Sequence, residues 1–457
     1  MTLETTDSGR WPGLLTFLTH PVRVVASGFA AAIAVGTVLL MLPVAAEAGR
    51  TTELVTALFT STSAVCVTGL VVVDTQAHWS AFGEVVILGL IQVGGFGVMT
   101  IGSLLVLLVG RRLRARAGML TETEVHHDGG GLDTRSVVLG VARTSLVVEG
   151  VVAVLLAARF AVGYGEPPLR ALYLGVFHAV SAFNNAGFAL WSTSLERFAT
   201  DGWVCLPIAG AIVLGGLGFP VLMELHRNLR NPWRWTLHTR LTVSTTVALL
   251  LAGSAVFTLV EWDNPQTLGP LPEGTRFLAG AFHAVNTRTA GFNSVPTGEL
   301  RTESLLASDV LMFIGGGSAG TAGGIKVTTF ALLAYVIWAE LRGDRRVAAW
   351  GRGVPAASQR QAVTVALLGV AAVVGGTWCL LAMSSLSLDV LLFEATSAFA
   401  TVGLSTGATG ELPVAGQVLL AVLMFIGRLG PLTMGAVLTL RSRPRSFEFP
   451  EERPIVG

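Results

Sequence analysis

Long apolar runs alternate along this chain with short, polar, glycine-centred stretches. Runs long enough to cross a bilayer, about 20 residues each, fall at 24–44, 82–110, 137–160, 203–225, 241–262, 309–338, 362–383 and 414–440. Within each successive pair of runs lies a segment too short and too polar to cross. These segments end in related motifs: Val67-Thr68-Gly69, Asn185-Ala186-Gly187, Thr289-Ala290-Gly291 and Thr401-Val402-Gly403. Their lead-ins correspond as well, as Phe177-His178-Ala179-Val180, Phe282-His283-Ala284-Val285 and Phe393-Glu394-Ala395-Thr396. The pattern is a unit of span, short re-entrant helix, glycine loop and span, repeated four times. Its period of roughly a hundred residues is longer than that of any solenoid.

The units run over 24–116, 135–227, 241–342 and 360–441, with 1–23 and 442–457 as terminal segments. Two crossings per unit return the chain to its starting side, so all four units share one orientation. Parallel repeats are related by an axis along the membrane normal, and such an axis can hold a pore. The expected fold is an all-α polytopic membrane protein. It has four parallel pseudo-repeats of helix, pore helix, filter loop and helix around a central pore.

Composition agrees. The chain is 52% hydrophobic and 13% charged, against about 25% charged in globular domains. The net charge of +1 is uninformative, but its distribution is not. Arg111, Arg112, Arg114 and Arg116 follow the second run, and Arg227, Arg230, Arg234 and Arg240 follow the fourth. Arg342, Arg345, Arg346 and Arg352 follow the sixth, and Arg441, Arg443 and Arg445 the eighth. The opposite loops carry far fewer, which predicts that these ends and both termini are cytoplasmic. The glycine loops then open outwards. No cleavable signal is expected, because the first apolar run follows a polar start and has full membrane length. Cys66, Cys205 and Cys379 fit no metal spacing and read as packing residues. The pair His126-His127 reads as part of a solvated loop.

Polar glycine loops at membrane depth are rare, because an unpaired backbone group in hydrocarbon costs several kcal/mol. They persist where they line an ion- or water-filled space. Four such loops around one axis would replace a cation's hydration shell with carbonyl oxygens. A second set of glycines follows in each unit: Gly94-Gly95, Gly215-Gly216, Gly315-Gly316-Gly317 and Gly427-Arg428. The first two read as close packing or kinking of helices. The third opens the run Gly315, Gly316, Gly317, Ser318, Ala319, Gly320, Thr321, Ala322, Gly323, Gly324, which cannot hold a helix when each glycine costs roughly 1 kcal/mol. It predicts an irregular loop at membrane depth, followed by Lys326, the sole lysine. In the fourth set Arg428 replaces the central glycine, and the freed carbonyls of the run are its natural partners. An intramembrane arginine is expensive and functional by default. Glu149, inside the third run, is expected either to pair with a neighbour such as Arg143 or Arg159 or to serve transport.

Four span–loop–span repeats, one glycine motif in each, a glycine-rich interruption in the third and an arginine opposite it resemble the Trk/Ktr/HKT superfamily of potassium transporters. The resemblance covers about 22–445 and is greatest to the KtrB-type membrane subunit of bacterial systems. It implies that the selectivity filter is Val67-Thr68-Gly69, Asn185-Ala186-Gly187, Thr289-Ala290-Gly291 and Thr401-Val402-Gly403. It implies that the gate is 315–324 with Lys326 and Arg428, the arginine acting as counter-charge. Plant relatives that favour sodium carry serine where this chain has Gly69, which points to potassium as the transported ion, with sodium a candidate activator. The resemblance further implies a homodimer in the inner (plasma) membrane of a bacterium. The dimer would sit on a cytoplasmic ring of nucleotide-binding RCK/KTN-type subunits, since this chain has no dinucleotide or P-loop motif of its own and no nucleic-acid role.

The alternative within transport is a cation-coupled symporter moving K+ with H+ or Na+, which calls for titratable groups at midplane. An intramembrane enzyme is disfavoured, because the runs contain no paired aspartates, no H-E-x-x-H and no G-x-S-x-G.

Overall fold

The computed structural model describes residues 21–118 and 134–440, with side chains for 23–104 and 134–430. The pair His126-His127 and the last arginine group lie outside the described residues. In chain order the helices are α1 (Pro21–Leu40), α2 (Leu54–Val65), α3 (Ala81–Gly118), α4 (Thr134–Tyr164), α5 (Pro168–Phe183), α6 (Gly202–Leu217) and α7 (Phe219–Asn228). They continue as α8 (Leu237–Glu261), α9 (Glu273–Asn286), α10 (Thr302–Phe313), α11 (Val327–Arg342), α12 (Ala356–Met383), α13 (Leu388–Ala400) and α14 (Val414–Leu440).

Each repeat opens with an outer helix, α1, α4, α8 or α12. A pore helix follows, α2, α5, α9 or α13, and the repeat ends with an inner helix. Proline sets several of these starts: α5, α9 and α12 begin at or immediately after Pro167-Pro168, Pro272 and Pro355. There a fixed φ suits the first turn and the missing N–H is one the helix cannot use. The outer helices leave an apolar side uncovered, for instance Leu146, Val151 and Val154 on α4 and Leu367, Val374 and Trp378 on α12. Continuous exposed apolar surface of this kind suits lipid.

The inner helix of each repeat packs on the pore helix of the next: α3 on α5, α6 on α9, α10 on α13, and α14 back on α2. The four repeats therefore form a closed ring. The main apolar cluster lies inside that ring around the pore helices, with Phe59, Phe177, Phe183, Phe188 and Phe292 all buried.

Two features differ from the expectations, and a third, the break in the run 309–338, follows the predicted interruption. The run 203–225 is not one crossing: α6 and α7 meet at a 103° bend. Gly218 takes φ +92 there and Pro220 follows, so the chain turns sharply and starts a new helix with proline in its first turn. The run 309–338 is two helices, because the chain is non-helical between Phe313 and Val327. With those two runs broken, α1, α3, α4, α8 and α12 are the helices long and apolar enough to cross alone among the residues described with side chains, the bent pair α6–α7 makes a sixth, and α14 is an apolar helix described with side chains only over 414–430. Finally, the linker between repeats 3 and 4 holds a small antiparallel hairpin, β1 (Ala348–Ala349) and β2 (Arg352–Gly353), in an otherwise helical chain. Its two turn residues, Trp350 (φ +52) and Gly351 (φ +74), are both left-handed, as a two-residue hairpin requires.

A candidate ion pathway

The four pore helices end at one place. Beyond the last turn of each, the chain enters the left-handed region at Val67 (φ +55), Asn185 (φ +57), Thr289 (φ +71) and Thr401 (φ +51), and again two residues later at Gly69 (φ +95), Gly187 (φ +70), Gly291 (φ +76) and Gly403 (φ +96). A non-glycine residue held at positive φ costs about 1–3 kcal/mol and persists only where its surroundings enforce it.

Those surroundings are explicit. The amides of Thr68, Ala186 and Val402 donate to the carbonyls of Ser63, Ser181 and Ser397, at 2.8, 2.7 and 2.9 Å, and Ala290 donates to Asn286 O at 3.0 Å. The serine hydroxyls add bonds: Gly69 N to Ser63 Oγ at 3.0 Å, Gly403 N to Ser397 Oγ at 3.1 Å, and Ser181 Oγ to Phe188 O at 2.8 Å. Further out, Leu190 N donates to His178 Nε2 at 3.3 Å, and Thr406 N donates to Glu394 Oε1 at 2.9 Å. His178 and Glu394 lie in the repeated lead-ins and Ser181, Asn286 and Ser397 immediately follow them, and sequence reasoning gave none of these braces a role.

The glycines close on one another in order. A Cβ on Gly69 would strike Ala186 O, one on Gly187 would lie 2.7 Å from Ala290 O, one on Gly291 would strike Val402 O, and one on Gly403 would strike Thr68 O. Each glycine thus lies against the carbonyl that precedes the next repeat's glycine, and the fourth returns to the first. Eleven of the twelve motif residues are buried, and Gly403 is half-buried. The negative C-terminal ends of four helix dipoles converge on this ring, an arrangement that favours a cation. On one side of it lies a cavity of about 120 Å³, bordered by Gly69, Gly187, Gly291 and Gly403 and by the polar residues Asp74, Ser192, Ser194, Asn293 and Ser405.

On the other side lies the interruption between α10 and α11. Its stems pair with each other: Gly315 N donates to Ile325 O at 2.9 Å, Ile325 N to Phe313 O at 3.1 Å, and Val327 N to Gly316 O at 3.0 Å. Its tip reaches the other repeats. Gly317 N donates to Gly216 O at 2.7 Å and Thr321 N to Gly215 O at 3.1 Å, both at the end of α6. Thr321 Oγ1 donates to Phe183 O at 3.2 Å and lies 3.1 Å from the Asn185 side-chain amide. Ala319 packs against Gly102 of α3, and Gly323 against Thr401. A segment of repeat 3 therefore touches repeats 1, 2 and 4 beneath the ring, which means that it crosses the axis.

Arg428 on α14 is 3% exposed and donates through one terminal nitrogen to Thr321 O, the freed carbonyl contact expected from the sequence. Lys326 Nζ donates to Ala322 O at 2.6 Å within the same interruption. Arg288, which immediately precedes the third motif and has no role in the sequence reading, is 6% exposed and donates to Gly315 O at 2.7 Å. Its signal was available, as a charge at a position that is Cys66, Asn184 or Ala400 in the other copies.

The second glycine set has a common reason. A Cβ on Gly94, Gly215 or Gly427 would strike the carbonyl of Val65, Phe183 or Phe399, the end of the pore helix in the same repeat. In repeat 3 the matching Gly315 meets Gly323 O instead, because the interruption folds back there.

Glu149 does not pair with Arg159, which is bound to Asp201 at 2.8 Å. Its carboxylate accepts from Gln92 at 3.2 Å and from Asn184 at 3.1 Å, behind the second motif. Burial explains the change: Glu149 is 5% exposed and faces amide donors, whereas Asp201 sits near the helix ends within reach of Arg159 and Tyr164.

Residues 19–445 match the family model TrkH, described as a cation transport protein. The chain is 37% identical over 436 residues to the Ktr system potassium uptake protein B of Vibrio alginolyticus, covering 95% of this chain and 94% of that one. It is 38% identical over 417 residues to the protein of the same description from Bacillus subtilis, covering 90% and 92%. Among solved structures, the crystal structure of the potassium transporter TrkH from Vibrio parahaemolyticus superposes with a TM-score of 0.67 over 90% of this chain and 83% of that one, at 17% identity, a likeness of fold.

Proposed function

The chain belongs to the TrkH family of cation transport proteins, and from that premise we propose that it takes up potassium through the glycine ring, which acts as a selectivity filter gated from below by the interruption at 315–324. The observation that carries the reading is the ordered closure of Gly69, Gly187, Gly291 and Gly403, each on the carbonyl before the next. Such a closure brings one carbonyl from each repeat into a single ring. Backbone carbonyls so held can substitute for the hydration shell of a monovalent cation.

The parts then divide the work. The braces at Ser63, Ser181, Asn286 and Ser397 hold the carbonyls against the tendency of positive-φ residues to relax. The cavity bordered by Asp74 and Ser405 is the outer vestibule, where water is exchanged for carbonyl oxygen. The interruption blocks passage, and Arg428 holds it in place through Thr321 O. Arginine-rich ends of the inner helices face the cytoplasm, and control reaches the interruption from a nucleotide-binding partner that meets that face. The protein works as a homodimer with one pore in each chain.

Purified protein reconstituted in liposomes tests the proposal. Rubidium or potassium uptake driven by an imposed K+ gradient, with little uptake from an equal Na+ gradient, is the expected result. Equal permeation of the two ions by folded protein contradicts it.

A further inference from the structure

Three residues before the ring glycine, the four repeats carry Cys66, Asn184, Arg288 and Ala400. The charged residue occurs in the repeat whose inner helix is interrupted by the loop 315–324. Arg288 is buried, and its NH2 donates at 2.7 Å to the carbonyl of Gly315, the residue that opens the interruption, whose own amide is paired with the returning stem at Ile325. Its NH1 has no acceptor among the described residues, and neither of the described ion pairs includes it. A buried guanidinium without a carboxylate is a costly way to cap one carbonyl. At the matching position of repeat 2 stands the neutral amide of Asn184, whose nitrogen lies 2.8 Å from Gln92 Oε1, 3.1 Å from Glu149 Oε1 and 2.9 Å from Val180 O in its own pore helix, none of them a backbone carbonyl of an inner helix. The cavity that Arg288 borders holds about 20 Å³, room for no more than a single water, which leaves no space for a ligand that would explain the charge.

We propose that Arg288 is a second clamp on the interruption, a positioning residue that ties the third filter segment to the gate; the inference rests on the filter-and-gate reading above. The two arginines grip at different points and from different elements. Arg428 reaches Thr321 O from an inner helix that forms no part of the ring. Arg288 reaches Gly315 O from a backbone whose next residue, Thr289, is already in the strained left-handed conformation of the filter. Movement of the stem at Gly315 therefore pulls on the third ring segment through Arg288, whereas Thr321 meets the second segment through its own hydroxyl at Phe183 O and Asn185, and Arg428 adds to that only a tie to α14. Such coupling is reciprocal: opening the gate loosens discrimination in the third segment, and occupancy of the ring biases the gate.

Liposome flux of Rb+ and the K+/Na+ permeability ratio, measured without any cytosolic partner, test this. Arg288→Gln is expected to raise basal flux about tenfold and to lower the permeability ratio, while Arg428→Gln raises flux with the ratio unchanged. In protein lacking 316–322, where no blocking position remains to be held, Arg288→Gln is expected to leave flux unaltered and still to lower the ratio. Arg288→Lys, which keeps charge and volume but loses the planar fork, moves both readouts the same way by less and covers the case in which the glutamine variant does not fold. An unchanged flux, an unchanged ratio, or a flux increase that persists in the loop-deleted protein overturns the clamp. So does an Arg288→Lys protein that matches the parent in both. Gly69→Ser and the loop deletion run in parallel: if they behave as proposed and the Arg288 variants do not, the clamp alone fails, whereas failure of those two removes the reading beneath it.

Discussion

Replacing Gly69 with serine tests the ring at one of its two most demanding backbone conformations. At φ +95 the residue lies beyond the left-handed region that L-residues visit, so any side chain there meets strain of about 1–3 kcal/mol. Space is no kinder: a Cβ would strike Ala186 O and stand 3.1 Å from Gly187 Cα, both backbone atoms of the adjoining repeat. Gly69 cannot retreat without breaking its bond to Ser63 Oγ, at 3.0 Å. Relief must come from turning the Thr68–Gly69 or Ala186–Gly187 peptide, and either turn removes a carbonyl from the layer. If 1–3 kcal/mol of that strain falls on the potassium-loaded ring and not on the sodium-loaded one, the K+/Na+ permeability ratio falls about 5- to 150-fold. The assay is bi-ionic reversal potential in reconstituted bilayers, with elution volume and thermal stability as the check on folding. Gly69→Ala should behave like the serine variant, since the Cβ and not the hydroxyl does the damage. The same reasoning ranks the sites: Gly403 at φ +96 should match Gly69, while Gly187, at φ +70 with its nearest carbonyl 2.7 Å from a Cβ, should suffer least. An unchanged ratio in folded Gly69→Ser protein, or a Gly187 variant more damaged than the Gly69 one, refutes the account.

Deleting 316–322 should raise basal potassium flux and reduce its dependence on a cytosolic partner; Arg428→Gln should act in the same direction by about ten- to a hundredfold, the worth of one charge-assisted bond. Flux no greater than the parent's, from loop-deleted protein of normal oligomeric state, would count against the gate. Gly427→Ala should destabilise the protein by about 1–3 kcal/mol because its Cβ would strike Phe399 O, whereas Gly430→Ala on the same helix meets nothing nearer than 3.9 Å and should be neutral or stabilising, as read by thermal melting in detergent. Glu149→Gln should leave potassium uptake insensitive to an imposed pH gradient, as in the parent; a gradient that drives uptake in the parent and not in the variant would instead favour proton-coupled symport.

The repeat and the ring motifs were legible in the sequence because both are written in backbone requirements. Glycine at 69, 187, 291 and 403 is dictated by positive φ and by a carbonyl where a Cβ would go. The interruption was legible for the same reason, since 315–324 is too rich in glycine to stay helical. Its partner Arg428 was legible because a charge among apolar neighbours demands an explanation. What escaped was everything set by tertiary distance. The bend at Gly218 lies within an apolar run whose hydropathy is uniform, and only φ +92 followed by Pro220 reveals it. For Glu149 the sequence offers an arginine partner along the same helix or a transport role, yet its donors come from α3 and from the residue that ends α5, which sequence spacing does not place beside it. The serines that brace the ring were overlooked because serine in a pore helix is unremarkable until its carbonyl is seen accepting the motif's amide.

The contact between Gly403 and Thr68 joins the last repeat to the first. Because it links opposite ends of one polypeptide, it cannot form until the ribosome has delivered nearly the whole chain to the membrane. A chain carrying three repeats has three carbonyl segments and an open side, with strained residues that nothing yet restrains, so it can neither hold a dehydrated cation nor conduct selectively. If the ring is the filter proposed above, synthesis ends with the step that closes it, and a stalled or truncated product lacks the selective pathway.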